Sequence, residues 1–169
     1  MAEEIERKFL VSSDDWRAQA DEGTQLVQGY LETGADCTVR VRIAGEKAYL
    51  CIKGATRGIS RDEFEYTIPM DDARQMLRTL AKKPYIEKRR FLVKAGPHTW
   101  EVDVFSGDNE GLTVAEIELS HADEAFVRPG WLGDEVSADP RYRNAALIEQ
   151  PYKQWVGATI GINHDRDKY

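Results

Sequence analysis

The stretch Glu4-Ile5-Glu6-Arg7-Lys8-Phe9 decides how the rest of the chain is read. Glu4, Glu6 and Lys8 alternate with Ile5 and Phe9, and only Arg7 breaks the alternation. Successive side chains of a strand point to opposite faces, so these charges share one face and the apolar residues the other. The pattern recurs at Arg40 and Arg42 among Val39, Val41 and Ile43, and at Glu63 and Glu65 around Phe64 and Tyr66. Lys88 and Arg90, Glu101 and Asp103 around Val102 and Val104, and Glu116 and Glu118 around Ile117 and Leu119 repeat it. One such strand is an ordinary half-exposed strand. Six of them point to a sheet whose charged faces meet.

Size and composition set the frame. A chain of 169 residues is one domain, long enough for a substantial core. Charged residues make up 31% of it, against roughly 25% in ordinary usage, and the excess needs a place. A net charge of -7 argues against a general nucleic-acid binder while leaving room for a local basic pocket that takes a small polyanion. Cys37 and Cys51 have no metal-ligand spacing and make no disulfide framework, which fits reduced thiols in a cytoplasmic protein. The N-terminus is acidic without an apolar signal region, and no apolar run approaches the roughly 20 residues of a membrane helix. No nucleic-acid or membrane partner is expected, and a homodimer is left open.

Strand-like runs occupy about 3–11, 25–32, 37–44, 47–53, 60–68, 85–95, 98–105 and 113–119, separated by Gly-rich turns. The gaps Gly45-Glu46 and Gly96-Pro97 are hairpin-sized, so neighbouring strands are expected to be antiparallel. Helices are expected at 14–20, carrying Trp16, and at 71–80 after Pro69, where Ala73, Met76, Leu77 and Leu80 have helical spacing. Short helices are further expected at 122–127, at 143–149 and after Pro151, with about 160–169 a flexible tail of the single domain 1–169.

Exposed on an open sheet, or on a sandwich, the charged faces would be mixed in sign. Here they come in like-charged pairs, which repel along a strand unless a counter-ion or ligand sits among them. Eight strands suffice to close a barrel with a narrow interior. Its inside would hold the acids Glu4, Glu6, Glu63, Glu65, Glu101, Asp103, Glu116 and Glu118. Facing them would stand the bases Lys8, Arg40, Arg42, Lys53, Lys88 and Arg90, with Arg61 near a mouth. Carboxylate clusters suit hard divalent cations such as Mg²⁺ or Mn²⁺, and Arg and Lys clusters suit phosphate oxygens. A chamber holding both points to a metal-bound polyphosphate.

Glu4-Ile5-Glu6-Arg7-Lys8 resembles the ExExK signature of the CYTH superfamily, the triphosphate tunnel metalloenzymes, and in particular their short bacterial inorganic triphosphatases. Arg40-x-Arg42, Lys53, Glu63-x-Glu65, Lys88 with Arg90, and Glu116-x-Glu118 follow in the family's order, up to residue 119. The stretch Trp131-Leu132-Gly133 and Asp139-Pro140-Arg141-Tyr142-Arg143-Asn144 is similar to its C-terminal region, where a helix plugs or lines one tunnel end. The resemblance implies a predominantly β (α+β) fold, an eight-stranded antiparallel tunnel with flanking helices that hydrolyses or rearranges triphosphates with one or two divalent ions. It makes Glu4, Glu6, Glu116 and Glu118 metal ligands, with Asp103 a further candidate. Lys8, Arg40, Arg42, Lys53, Lys88 and Arg90 would grip the triphosphate, with Arg61 at the mouth. Glu63 and Glu65 would hold a second metal or position water, and Tyr30 would contact Lys8.

Phosphoryl transfer needs positioning, charge neutralisation and an in-line nucleophile more than covalent help. The expected reaction is therefore metal-dependent hydrolysis of a triphosphate, inorganic tripolyphosphate before others, releasing orthophosphate. Adenylate cyclisation, thiamine or nucleoside triphosphate hydrolysis, and capture of polyphosphate without turnover are the alternatives. The three histidines, His98, His121 and His164, have no visible nucleophile-base pairing and read as surface residues. Cys51 reads as a small tunnel-wall residue, Arg89 as an outer salt-bridge partner, and Trp100 as facing either way.

Overall fold

Alternation of charge and bulk becomes strand almost everywhere the sequence puts it. The computed structural model describes residues 3–155, so His164 and the tail expected at 160–169 lie outside the described residues. The strands are β1 (Glu3–Val11), β2 (Thr24–Thr33), β3 (Cys37–Ala44), β4 (Lys47–Gly54), β5 (Ser60–Ile68), β6 (Ile86–Ala95), β7 (His98–Ser106) and β8 (Thr113–Glu118). Every pairing is antiparallel, in the order β1-β8-β7-β6-β2-β3-β4-β5, and β5 returns to β1 to close the barrel. The hairpin turns after β3 and β6 place Gly45 at φ 59° and Gly96 at φ 63°, the left-handed region that two-residue hairpins demand.

A ninth strand, β9 (Leu132–Glu135), was not expected from the sequence. It pairs with Phe9 and Val11 at the C-terminal half of β1, while Glu3, Glu4 and Ile5 at the other half pair with Asp62, Arg61 and Ser60 of β5.

The outward faces carry two apolar layers. Phe9, Trp100, Val102, Ala115 and Ile117 pack with Trp16 and Trp131 on the β1-β8-β7-β6 side. Phe9 and Trp131 meet Trp100 edge-on, with ring centroids 5.6 and 5.8 Å away. Trp100 thus faces outward. On the β2-β3-β4 side the helix α1 (Met70–Thr79) covers Val41 and Ala48 with Ala73 and Leu77. Gly29 permits this close seat, because a Cβ there would lie 2.6 Å from Leu77 Cδ2. The expected helix at 14–20 is a single 3-10 turn, Asp15–Gln19, with Trp16 fully buried. No helix forms at 122–127. There Phe126 is the one large anchor, held edge-on against Phe9 and Trp100, and Pro129 follows close behind.

The parity rule needs one amendment. Leu10, Ile86, Phe105 and Val114 share the inward parity of the charged residues, yet they are apolar and stand at one end of the barrel. The short helix α2 (Asn144–Glu149) inserts Leu147 and Ile148 among them and plugs that end. Residues 152–155 continue helically, with Tyr142 and Tyr152 edge-on to Trp155. Among the described residues, no helix is long and apolar enough to cross a membrane.

Candidate active site

Strand closure turns the charged rows to the middle of the barrel, around a cavity of about 250 Å³. Glu4, Glu6 and Lys8 reach it from β1, Tyr30 from β2, Arg40 and Arg42 from β3, and Lys53 from β4. β5 supplies Arg61, Glu63 and Glu65, β6 supplies Lys88 and Arg90, and β8 supplies Glu116 and Glu118. Register explains the grouping. Glu6 stands directly opposite Glu118 and Lys8 opposite Glu116, while Glu101 of β7 is opposite Glu116 on its other side. First and last barrel strands thereby concentrate carboxylates at one corner.

The opposite charges are only partly matched. Lys53 lies 2.8 Å from Glu4, Lys8 lies 3.3 Å from Glu116, and Arg42 lies 3.2 Å from Glu65. Arg90 holds Glu101 at 2.5 Å and makes a two-pronged contact with Asp103 at 2.8 and 2.9 Å, and Lys88 reaches the same Asp103 at 2.9 Å. Burial drives the Glu4 carboxyl up, but Lys53 together with contacts to Glu6 and Glu63 outweighs this and leaves it at about 2. Burial likewise opposes the ionisation of Glu116, and Lys8, Arg90 and Lys88 together hold it well below the usual carboxylate range.

Glu6 is the exception. Burial, then the neighbouring Glu116 and Glu4, push its carboxyl well above the usual range. Glu63 rises for similar reasons, through burial and its contact with Glu4. Among the cations, burial brings Lys88 down to about 8 against the pull of Asp103. Arg42 is lowered by burial and by Arg40. Arg40 Nε, Arg42 Nε and both amide atoms of the buried Gln28, which pairs with Arg42 across β2 and β3, have no hydrogen-bond partner. Orphaned polar atoms beside a cavity mark bonding that a ligand or water completes.

Three expectations need revision. Tyr30 makes no hydrogen bond to Lys8; it stands opposite Arg40 across the strands and, against the lowering by burial, helps raise that guanidinium's pKa. Lys8 Nζ turns instead to the carbonyl of Tyr142 at 3.0 Å, because the plug reaches it first. Asp103 does not line the cavity; it is fully buried in the wall behind Lys88 and Arg90, whereas Glu101 beside it does reach the cavity. Arg89 faces outward but bonds the backbone carbonyls of Glu22 and Gly23 in place of an acid. Cys51 is a buried wall residue, its Sγ 3.6 Å from Glu63. With Glu63 and Glu65 it forms the group of potential ligand atoms lying within 4.8 Å of one another.

The resemblance puts the segment around Asp139 to Asn144 at one tunnel end but names no contact there. Ser137, Tyr142, Arg143 and Asn144 line that end, and Asn144 accepts from Lys88 Nζ at 3.1 Å. A backbone carbonyl such as that of Tyr142 carries no residue-type signal, so only the segment, and not the contact, was visible beforehand.

The CYTH domain profile matches residues 2–149. The chain belongs to the CYTH family. A CYTH relative, the inorganic triphosphatase of Acetivibrio thermocellus, is 47% identical over 155 residues, spanning 92% of this chain and 99% of that protein. The inorganic triphosphatase of Nitrosomonas europaea is 37% identical over 149 residues, spanning 85% and 95%. The solved structure of the inorganic triphosphatase NE1496 superposes with a TM-score of 0.62 at 31% identity, covering 88% of this chain and 95% of that one. In this CYTH chain the carboxylate corner fits a hard cation on its own terms. Its donors are oxygen, and the Glu6 carboxyl is pushed up by burial and then by Glu116 and Glu4, whose repulsion a cation would relieve.

Proposed function

We propose that the chain is a divalent-metal-dependent triphosphatase that hydrolyses inorganic tripolyphosphate and releases orthophosphate. One observation carries the reading: a carboxylate corner and a field of cations face each other across a single cavity of about 250 Å³. Glu4, Glu6, Glu116 and Glu118 hold the metal. Their oxygen-only chemistry favours Mg²⁺ or Mn²⁺. Held there, a divalent ion would supply charge neutralisation for the triphosphate.

The protein's own groups do the rest. Lys8, Arg40, Arg42, Lys53, Lys88 and Arg90 bind the phosphate oxygens and fix the chain of three phosphates in line, with Arg61 at the rim. Tyr30 orients Arg40 from across the β2–β3 pairing. Glu63 and Glu65 orient the attacking water, and the raised carboxyl of Glu63 suits it to take the proton that water loses. Water adds to the terminal phosphorus as the bridging P–O bond breaks, giving orthophosphate and pyrophosphate. Free thiols at Cys37 and Cys51 support a reducing, cytoplasmic setting.

The test is orthophosphate release from tripolyphosphate, ATP and thiamine triphosphate with Mg²⁺, with Mn²⁺ and with chelator. Metal-dependent release from tripolyphosphate supports the reading. Pyrophosphate and a cyclic nucleotide from ATP would replace it with a cyclase, and tight binding without product would replace it with a capture module.

A further inference from the structure

We propose that Asp103 is a positioning residue: it aims Lys88 and Arg90 into the tunnel for phosphate and ligates no metal. The inference rests on the triphosphatase reading and assigns a role inside that site. Asp103 has inward parity and the residue type of a metal ligand, but it is fully buried and does not line the cavity. Its two oxygens are already engaged. Oδ1 accepts from Arg90 Nε at 2.8 Å, and Oδ2 accepts from Arg90 Nη2 and lies against Lys88 Nζ, each at 2.9 Å. Charge-assisted, two-pronged bonds of this kind are strong and fix geometry. A metal would have to break them, leaving the buried Lys88 without its charge partner and Arg90 with Glu101 alone.

The arrangement answers a problem set by the strand. Lys88 and Arg90 are two residues apart on one face of β6, and like charges so placed repel. Asp103 stands directly opposite Arg90 across the β6–β7 pairing and lies between the two cations electrostatically. It also occupies their donors. Lys88 donates to Asn144 at 3.1 Å and lies 2.9 Å from Asp103 as an ion pair. Arg90 spends two of a guanidinium's five N–H groups on Asp103 and lies 2.5 Å from Glu101 as an ion pair. Both cations line the cavity, and Asp103 fixes the side from which each is held.

The test separates phosphate binding from metal binding in the full chain. Asp103→Asn is titrated with tripolyphosphate by calorimetry and with Mn²⁺ alone by electron paramagnetic resonance, and KM and kcat are measured beside them. The expected result is a rise in tripolyphosphate Kd and KM of about tenfold or more, as for loss of a buried charge partner, with Mn²⁺ affinity held within about twofold. A fall in Mn²⁺ affinity with tripolyphosphate binding in chelator unchanged would overturn the proposal.

If the Asn variant does not fold, Asp103→Glu keeps the charge while shifting the carboxylate by one methylene, and the same split is expected in weaker form. A second readout is immune to general destabilisation. In a Lys88→Ala/Arg90→Ala background, Asp103→Asn is expected to change KM no further, and an independent additional loss would count against it. Should the wild type bind tripolyphosphate without hydrolysing it, the triphosphatase reading fails, and the calorimetric comparison still decides the role of Asp103.

Discussion

Asp103 and Glu6 are both acids of inward parity in the same barrel wall, and they titrate in opposite directions. Asp103 is walled in by Lys88 and Arg90, which overcome its burial and hold its carboxyl below the ordinary value. Glu6 faces Glu118 across the strand pairing and sits near Glu116 and Glu4, and its carboxyl is pushed up. Burial is common to both; company differs. An acid with its own cations has become part of the architecture, whereas an acid surrounded by other acids is unfinished until a cation arrives.

The largest effect that would break this contrast is expected from Glu6→Gln. Metal-dependent phosphate release should fall by about two orders of magnitude or more, since several kcal/mol of charge stabilisation depend on the metal. The thermal midpoint of the metal-free variant should stay level or rise, because removing a crowded carboxylate relieves the unliganded site. A variant as active as the wild type would place the metal elsewhere.

Protonation sharpens the contrast next. Burial and the neighbouring acids favour the protonated form of Glu6, so Mn²⁺ affinity should climb with pH as Glu6 ionises, then level off. The metal-free protein should show the matching stability trend. A carboxyl raised in the folded state favours folding below its unfolded value of 4.5 and gives up that support as pH rises through its folded value. Thermal melts in chelator should therefore improve as pH falls from neutral toward 4.5, the ordinary value of a glutamate carboxyl. Asp103 and Glu116 run the other way and withdraw support only as pH drops below their ordinary carboxylate values.

A smaller effect belongs to the Asp103 side. Lys88 loses its proton near pH 8; one charge-assisted bond to phosphate is then lost, and tripolyphosphate affinity should weaken by about tenfold above that pH. Calorimetry at pH 7 and 9 checks it, and Lys88→Ala should flatten the difference. The least effect is expected on the outside: Arg57→Ala, breaking the exposed 3.6 Å pair with Asp62, should shift stability by no more than about 0.5 kcal/mol.

Much of this was legible in the sequence, for a physical reason. Period-two alternation with charges on one side survives any tertiary context, so the eight barrel strands were found with ends nearly in place. The row of inward charges followed from parity alone. What parity cannot say is where along the axis the row ends. Leu10, Ile86, Phe105 and Val114 keep the parity of the charged row, yet they pack against the plug. β9 spans only Leu132–Glu135 and is too short to show a period. The fates of Asp103 and Tyr30 depend on which neighbour reaches first, a matter of register and side-chain length that one strand read alone does not contain.

Barrel closure rests on very little. Of the eight joints around the wall, the one between β1 and β5 has only three residue pairs in register, Glu3 with Asp62, Glu4 with Arg61 and Ile5 with Ser60. A hoop parts at its weakest stave, and local opening proceeds where few bonds must be given up. Amide exchange should consequently run fastest along this seam, well ahead of the nine-pair joint between β6 and β7. Glu4 sits in the seam and clasps Lys53. Ions drawn to that corner would therefore act as a rivet, fastening the wall at the place where it is most inclined to part.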